Sequence, residues 1–238
     1  MTEPAVSDVP GVATPKTAAW EDALDIYYAP RQVFERRRDG KYLVMLLILC
    51  ALTLAIYFLS IQFNEAVADA EFTRSMAKQT PQLTAEQMAS ARAFAEKIKS
   101  AIVYFIPFGI TIGVWISGAI VMLLGKMMGG KLNFAQGTTI VILASMPELL
   151  GKVFVGAQGL FLDTAQVASK YSFATSVSRF LPADTNSILL KLGAVADPFV
   201  IWGAVLLGLG VFVIGRMEKE KAAVLAIIHT LLMAMLIR

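Results

Sequence analysis

The sequence predicts an all-α, polytopic integral membrane protein: a bundle of five transmembrane helices with short interfacial or extramembrane helices. Three observations predict it. Of the 238 residues, 57% are hydrophobic and only 16% are charged, and the mean hydropathy is +0.65. That is too apolar for an ordinary soluble domain. The apolar residues collect in runs separated by polar turns. Those runs, about 42–63, 101–124, 134–160, 197–215 and 222–237, are for the most part long enough to cross roughly 30 Å of hydrocarbon. The chain divides into a cytoplasmic tail over 1–40, with an amphipathic and basic interfacial segment, and a five-span membrane unit over 41–238.

Residues 1–17 lack periodicity and read as a disordered tail. From Ala18 the pattern changes: Trp20, Leu24, Tyr27 and Tyr28 recur at helical spacing, with Glu21, Asp22 and Asp25 on other faces. Pro30 restarts the chain, Val33 and Phe34 are the next apolar residues, and Arg36, Arg37, Arg38 and Lys41 form a basic collar. This reads as one or two interfacial helices whose arginines set topology and meet anionic lipid headgroups, or equally as a solvated connector. No cleavable signal peptide is visible, so the first span must act as its own targeting signal.

In "PQLTAEQM", Thr84 with Gln87 predicts a capping box, and Leu83 with Met88 a hydrophobic staple. A helix is expected from Ala85 into the second span, kinked at Pro107 unless neighbours repair the backbone. Gly109 and Gly113 offer a face for close helix contact, a weak signal. "GKMMGGKLNF" is a turn in which Gly129 and Gly130 supply backbone freedom, and Asn133 with Gln136 begins the third span. In the second polar segment, Asp163 to Ala196, Phe173, Phe180 and Leu181 suggest partial burial. Asp184 is placed to cap a short amphipathic helix. Asp197 and Pro198 stand as N-cap and first residue of the fourth span. The fifth span is short, and Arg238 must snorkel.

With the amino terminus inside, the inner segments carry eleven Lys or Arg and the outer ones nine. The inner turns are short and dense, and short loops carry the weight of the charge rule. The amino terminus is therefore expected inside and the carboxyl terminus outside.

Composition excludes several functions. The single cysteine, Cys50, and the single histidine, His229, cannot build a disulfide or a cysteine–histidine metal site. No paired-histidine helix motif or nucleophile elbow occurs, Ser145 has no evident base, and "GKMMGGK" lacks the ending of a phosphate loop. No enzyme activity, cofactor or nucleic-acid partner is expected. The polar residues inside the spans are Glu148, Lys152 and His229. Glu148 and Lys152 share one helix face at i, i+4, and a charge at the bilayer centre costs about 2.5–3.5 kcal/mol on insertion scales. Three readings stay open: an internal pair that locks the helix, a break at Pro147 that leaves Glu148 to cap a half-helix, or a site lining a polar cavity. His229 reads as a hydrogen-bonded core residue. Asp197 and Trp202 read as structural.

Several local patterns resemble the Yip family of Ypt/Rab-interacting membrane proteins, specifically its bacterial branch. "YAPRQVFERRRDG" carries Pro30 and Phe34. "GGKLNFAQGTTIVILASMPELL" joins the glycine turn, Gly129 and Gly130, to a span bearing Pro147. "ADPFVIWGAVLLGLGVFVIGRMEKEKA" supplies Asp197, Phe199 and Trp202. The resemblance covers roughly Tyr28 to Ile237. It implies five spans and a non-enzymatic scaffold or organiser of a bacterial inner membrane, without catalytic residues. The eukaryotic branch's aspartate–leucine–tyrosine–glycine–proline motif does not occur here. The expected partners are therefore the bilayer, anionic lipids, a second copy or another membrane protein, rather than a Rab-type GTPase. Two other functions remain open on the residues: a small permease or channel component using Glu148 and Lys152, and an accessory subunit of a larger membrane complex.

Overall fold

The computed structural model describes residues 18–77, 84–161, 167 and 169–237. Among the described residues the regular structure is helical throughout. The helices are α1 (Ala19–Asp25), α2 (Pro30–Arg36), α3 (Leu43–Leu59), α4 (Ile61–Ala77), α5 (Ala85–Met127), α6 (Phe134–Ala144), α7 (Met146–Phe161), α8 (Ser187–Val195), α9 (Pro198–Gly215) and α10 (Lys219–Ile237), with a 3₁₀ turn at Val177–Phe180. The expected tail over 1–17 and the Leu83 half of the staple lie outside the described residues.

Three units are long and apolar enough to cross a membrane: α5, α6 with α7 as one span over Phe134–Gly159, and α9. The pair α3 and α4 adds a fourth if taken together, but it bends by 78°. The expected first span over 42–63 thus ends at Leu59. Beyond the bend Glu65, Asp69, Glu71 and Arg74 recur along α4, which makes that helix too polar to continue into hydrocarbon. The expected fifth span lies in α10, whose first turn carries Lys219, Glu220 and Lys221 and leaves its described length short of a fully apolar span.

The helix starts follow the sequence. Thr84 and Gln87 exchange side-chain and backbone hydrogen bonds at 3.3 and 2.9 Å, and Asn133 and Gln136 do the same at 3.0 and 2.8 Å. Each box satisfies donors that a helix start leaves orphaned. Asp197 accepts from the Phe199 and Val200 amides ahead of Pro198. Gly129 takes φ +87°, a conformation that a side chain would strain. Pro107 leaves α5 unbroken, and the Thr111 hydroxyl donates to its carbonyl at 2.8 Å.

Two expectations in the second polar segment are corrected. The cap of α8 is Asn186, whose side chain accepts from the Ile188 amide at 2.8 Å. Asp184 lies inside a turn closed by the Thr185 amide on the Pro182 carbonyl, too far upstream to reach the helix donors. Phe173 is buried, but Phe180 is 82% exposed, because the 3₁₀ turn points Ser178 inward instead.

The core gathers Ile26, Phe34, Met45, Ile140, Ile142, Leu143, Met146, Leu206, Val211 and Leu225, all buried from α2, α3, α6, α7, α9, α10 and the α1–α2 turn. Close approach of α5 and α6 falls at Gly118, where a Cβ would lie 2.8 Å from the Thr138 backbone. Gly109 and Gly113 have open space around them. The contact face that their spacing suggested is displaced about one and a half to two and a half turns along α5.

Helices α1 and α2 pack against each other, α1 on α3 and α2 on α9. Phe34 is fully buried and fills the space beside Gly210 and Ile140. At the tip of this hairpin the Tyr27 hydroxyl donates to the Met146 carbonyl at 2.8 Å, and its ring meets Trp202 edge-on at 5.6 Å. Met146 stands twelve residues beyond Phe134, about 18 Å along the span, while Gly40 packs against Ala135 at its start. The hairpin therefore runs far down the side of the bundle instead of lying across its end. Trp115, Phe108, Leu123, Val153, Phe154, Ile201, Val205, Ile227 and Leu231 point outward. Such an apolar exterior suits lipid.

Candidate functional site

Pro147 has no amide to donate to the Leu143 carbonyl, so the third span breaks just before it. Ser145 ends α6, with its amide on Val141 and its hydroxyl on Ile142. The break lies two residues ahead of the expected one, and Pro147 occupies the first turn of α7, where proline is tolerated. Glu148 is in that same turn, on the favourable end of the helix dipole.

Glu148 lines two cavities. The larger, about 440 Å³, opens at the end of the bundle that holds α4 and the 170–197 segment. Glu148, Lys152, Lys170, Asp197, Tyr57 and Phe199 are among its walls. Glu148 is half-buried and Lys152 exposed. Phe199 lies over Gly151, where a Cβ would come within 2.9 Å of its ring. Asp197 caps α9 with one carboxylate oxygen and accepts from the Thr175 hydroxyl with the other. The smaller cavity, about 180 Å³, is lined by Glu148, Ser145, Ser117 and His229. His229 is buried, and its Nε2 lies 2.7 Å from the Ser117 hydroxyl. The three polar residues singled out from the sequence thus line adjoining cavities at the helix break.

The arginine collar is arranged differently from a free basic patch. Asp22 is fully buried and takes both Arg36 and Arg37. Arg36 Nη2 lies 2.5 Å from Asp22 Oδ1 and 2.5 Å from Asp25 Oδ2, and Arg37 Nη2 lies 2.5 Å from Asp22 Oδ2. The Tyr28 hydroxyl also donates to Asp25. That bond, followed by the Arg36 guanidinium, holds the Asp25 carboxyl below its ordinary range. Lys41 pairs with Asp39 at 3.0 Å, and the Arg38 carbonyl accepts from the Gln136 side chain. Arg36 and Arg37 therefore clamp α2 to α1.

Sequence reading missed Asp22, Asp25, Ser117, Thr175 and Tyr27 as partners. The usable signal was the placement of acids and arginines on either side of Pro30, which an antiparallel helix pair brings together. Ser117 and Thr175 carry no such signal, because their partners are 112 and 22 residues away.

Pro30 begins α2, Gly130 lies against Met217, and Pro147 is buried at the break. No group of three or more His, Cys, Asp or Glu that could hold a metal occurs among the described residues. Neither a curated protein nor a solved structure matches the chain. The family model described as the Yip1 domain matches residues 24–237. That stretch runs from the hairpin through α10, and on this match the chain belongs to the Yip1 domain family.

Proposed function

We propose that this protein is a non-enzymatic scaffold or organiser of a bacterial inner membrane. It would cross the bilayer five times, with the amino terminus inside and the carboxyl terminus outside. The family match over residues 24–237 carries this reading. Two structural features support it. The hairpin of α1 and α2 is held together by the Asp22–Arg36–Arg37 cluster and tied to the bundle by Tyr27, which suits a rigid platform. Large side chains of α5, α7, α9 and α10 face outward and offer apolar surface to lipid, to a second copy or to another membrane protein.

Reconstitution tests the role. Two populations labelled with donor and acceptor dyes should show saturable energy transfer on dilution in vesicles, with no flux of ions or small solutes above empty vesicles. Solute flux without self-association would overturn the scaffold reading. Topology is tested separately in a Cys50→Ala background. Single cysteines at 128 and 180 should react with an impermeant reagent from the inner and the outer side respectively. Labelling of both from one side would overturn the five-span arrangement.

A further inference from the structure

The larger cavity at the helix break is a mixed-charge site, and its charges balance. Glu148, Asp197, Lys152 and Lys170 all line one space of about 440 Å³, a size typical of small-ligand pockets. A lone ion entering a partly desolvated space of this kind would leave a net charge poorly solvated. A ligand with both charges would not.

The walls are also ordered along the bundle. Glu148 lies fourteen residues after Phe134, about 21 Å along the span, and Lys152 one turn further toward the open end. Residues four apart on a helix stand side by side, their Cβ atoms about 5–6 Å apart. Asp197 accepts from the α9 amides and from Thr175 at the outer end of the cavity wall. Phe199, two residues after Asp197, lies against Gly151, so Glu148 is the inner carboxylate, and Tyr57 lines the same cavity. A carboxylate with an aromatic face suits an ammonium group. Lys152 and Lys170 supply positive charge nearer the mouth and suit a phosphate or carboxylate.

We propose that this cavity binds a small zwitterion, with its ammonium inward at Glu148 and its anionic group outward at Lys152 and Lys170. The same chemistry is presented by the phosphoethanolamine headgroup of a phospholipid entering from the interface and by a free phosphoethanolamine diester. The site stands independently of the scaffold role. Loss of self-association would leave it untouched.

The test uses the full chain in detergent, with thermal unfolding as the readout. Four probes are compared: dihexanoyl-phosphatidylethanolamine, glycerophosphoethanolamine, dihexanoyl-phosphatidylglycerol and glycerol phosphate. The ethanolamine probes should raise the unfolding temperature saturably, and the two probes that lack an ammonium should not. Glu148→Gln and Lys152→Met should each weaken the ethanolamine response at least about tenfold. A response to the lipid probe alone assigns the site to a headgroup, and a response to both extends it to the free diester. Lys152 is exposed, so Lys152→Met keeps the test decisive even if Glu148→Gln fails to fold. No saturable response to either ethanolamine probe, an equal response to the glycerol probes, or an undiminished response in the variants would overturn the proposal.

Discussion

Asp22→Asn should be among the most damaging conservative substitutions in this chain. Asp22 is fully buried, while the Arg36 and Arg37 side chains that grip it are 18% and 17% exposed. Each pair is worth about 4 kcal/mol of attraction at an effective dielectric near 20, before desolvation is subtracted. Removing one partner of a buried ion pair costs about 3–5 kcal/mol, because the remaining charge stays buried. Here both guanidiniums retain some contact with solvent and Arg36 keeps Asp25, which reduces the cost to about 2–4 kcal/mol. For a chain of this size each kcal/mol moves the midpoint by about 2–4 °C, which gives a fall of roughly 5–15 °C. Cys50 is the single cysteine and is buried. A thiol-reactive fluorophore therefore reports unfolding without engineering. Arg37→Gln should cost less, and the double variant should show coupling between the two positions. A midpoint within about 2 °C of the parent for Asp22→Asn would refute the clamp, since the magnitude above allows no such tolerance.

The same assay checks three further expectations. Gly118→Ala places a Cβ 2.6 Å from Thr138 Oγ1 and 2.8 Å from its backbone, so it should destabilise by about 1–3 kcal/mol. Gly109→Ala, with open space around it, should be neutral or gain up to about 1 kcal/mol; equal effects at the two sites would refute the packing described. Ser117→Ala removes the partner of the buried His229 ring nitrogen and should cost about 1–3 kcal/mol; an unchanged midpoint would show that the hydrogen bond contributes nothing. Asp25 is held below its ordinary pKa of 3.8 by Tyr28 first and Arg36 second. A depressed carboxyl contributes stability that is present above the unfolded value and lost as pH falls through the folded one. The midpoint should then hold from about pH 7 to 5 and fall below about pH 4, with a shallower acid limb in Asp25→Asn.

Helix starts were legible because they are local. Thr84 with Gln87, Asn133 with Gln136, and Asp197 before Pro198 each complete their hydrogen bonds within three residues. Asp184 shows the limit of that logic. It is a good capping residue by type, but Asn186 stands two residues closer to the apolar run and reaches the donors first. The Gly109–Gly113 spacing failed for a related reason. Two small residues four apart permit close contact, but which turn of α5 meets α6 depends on where the α5–α6 turn lets the helices cross, and that is at Gly118.

The sequence by itself determined the helical class, the apolar character, the position of most helices and the presence of polar groups within the third span. These follow from hydropathy, capping and proline chemistry, which act over a few residues. The tertiary structure alone decided the rest. It bent the expected first span at Ser60, turned α1 and α2 into a hairpin alongside the bundle, gave Arg36 and Arg37 a buried carboxylate, and brought Glu148, Lys152 and His229 around adjoining cavities. Each of these depends on contacts between segments far apart in the chain. Such contacts are set by the shape of the packed helices, and no local pattern of residues encodes that shape.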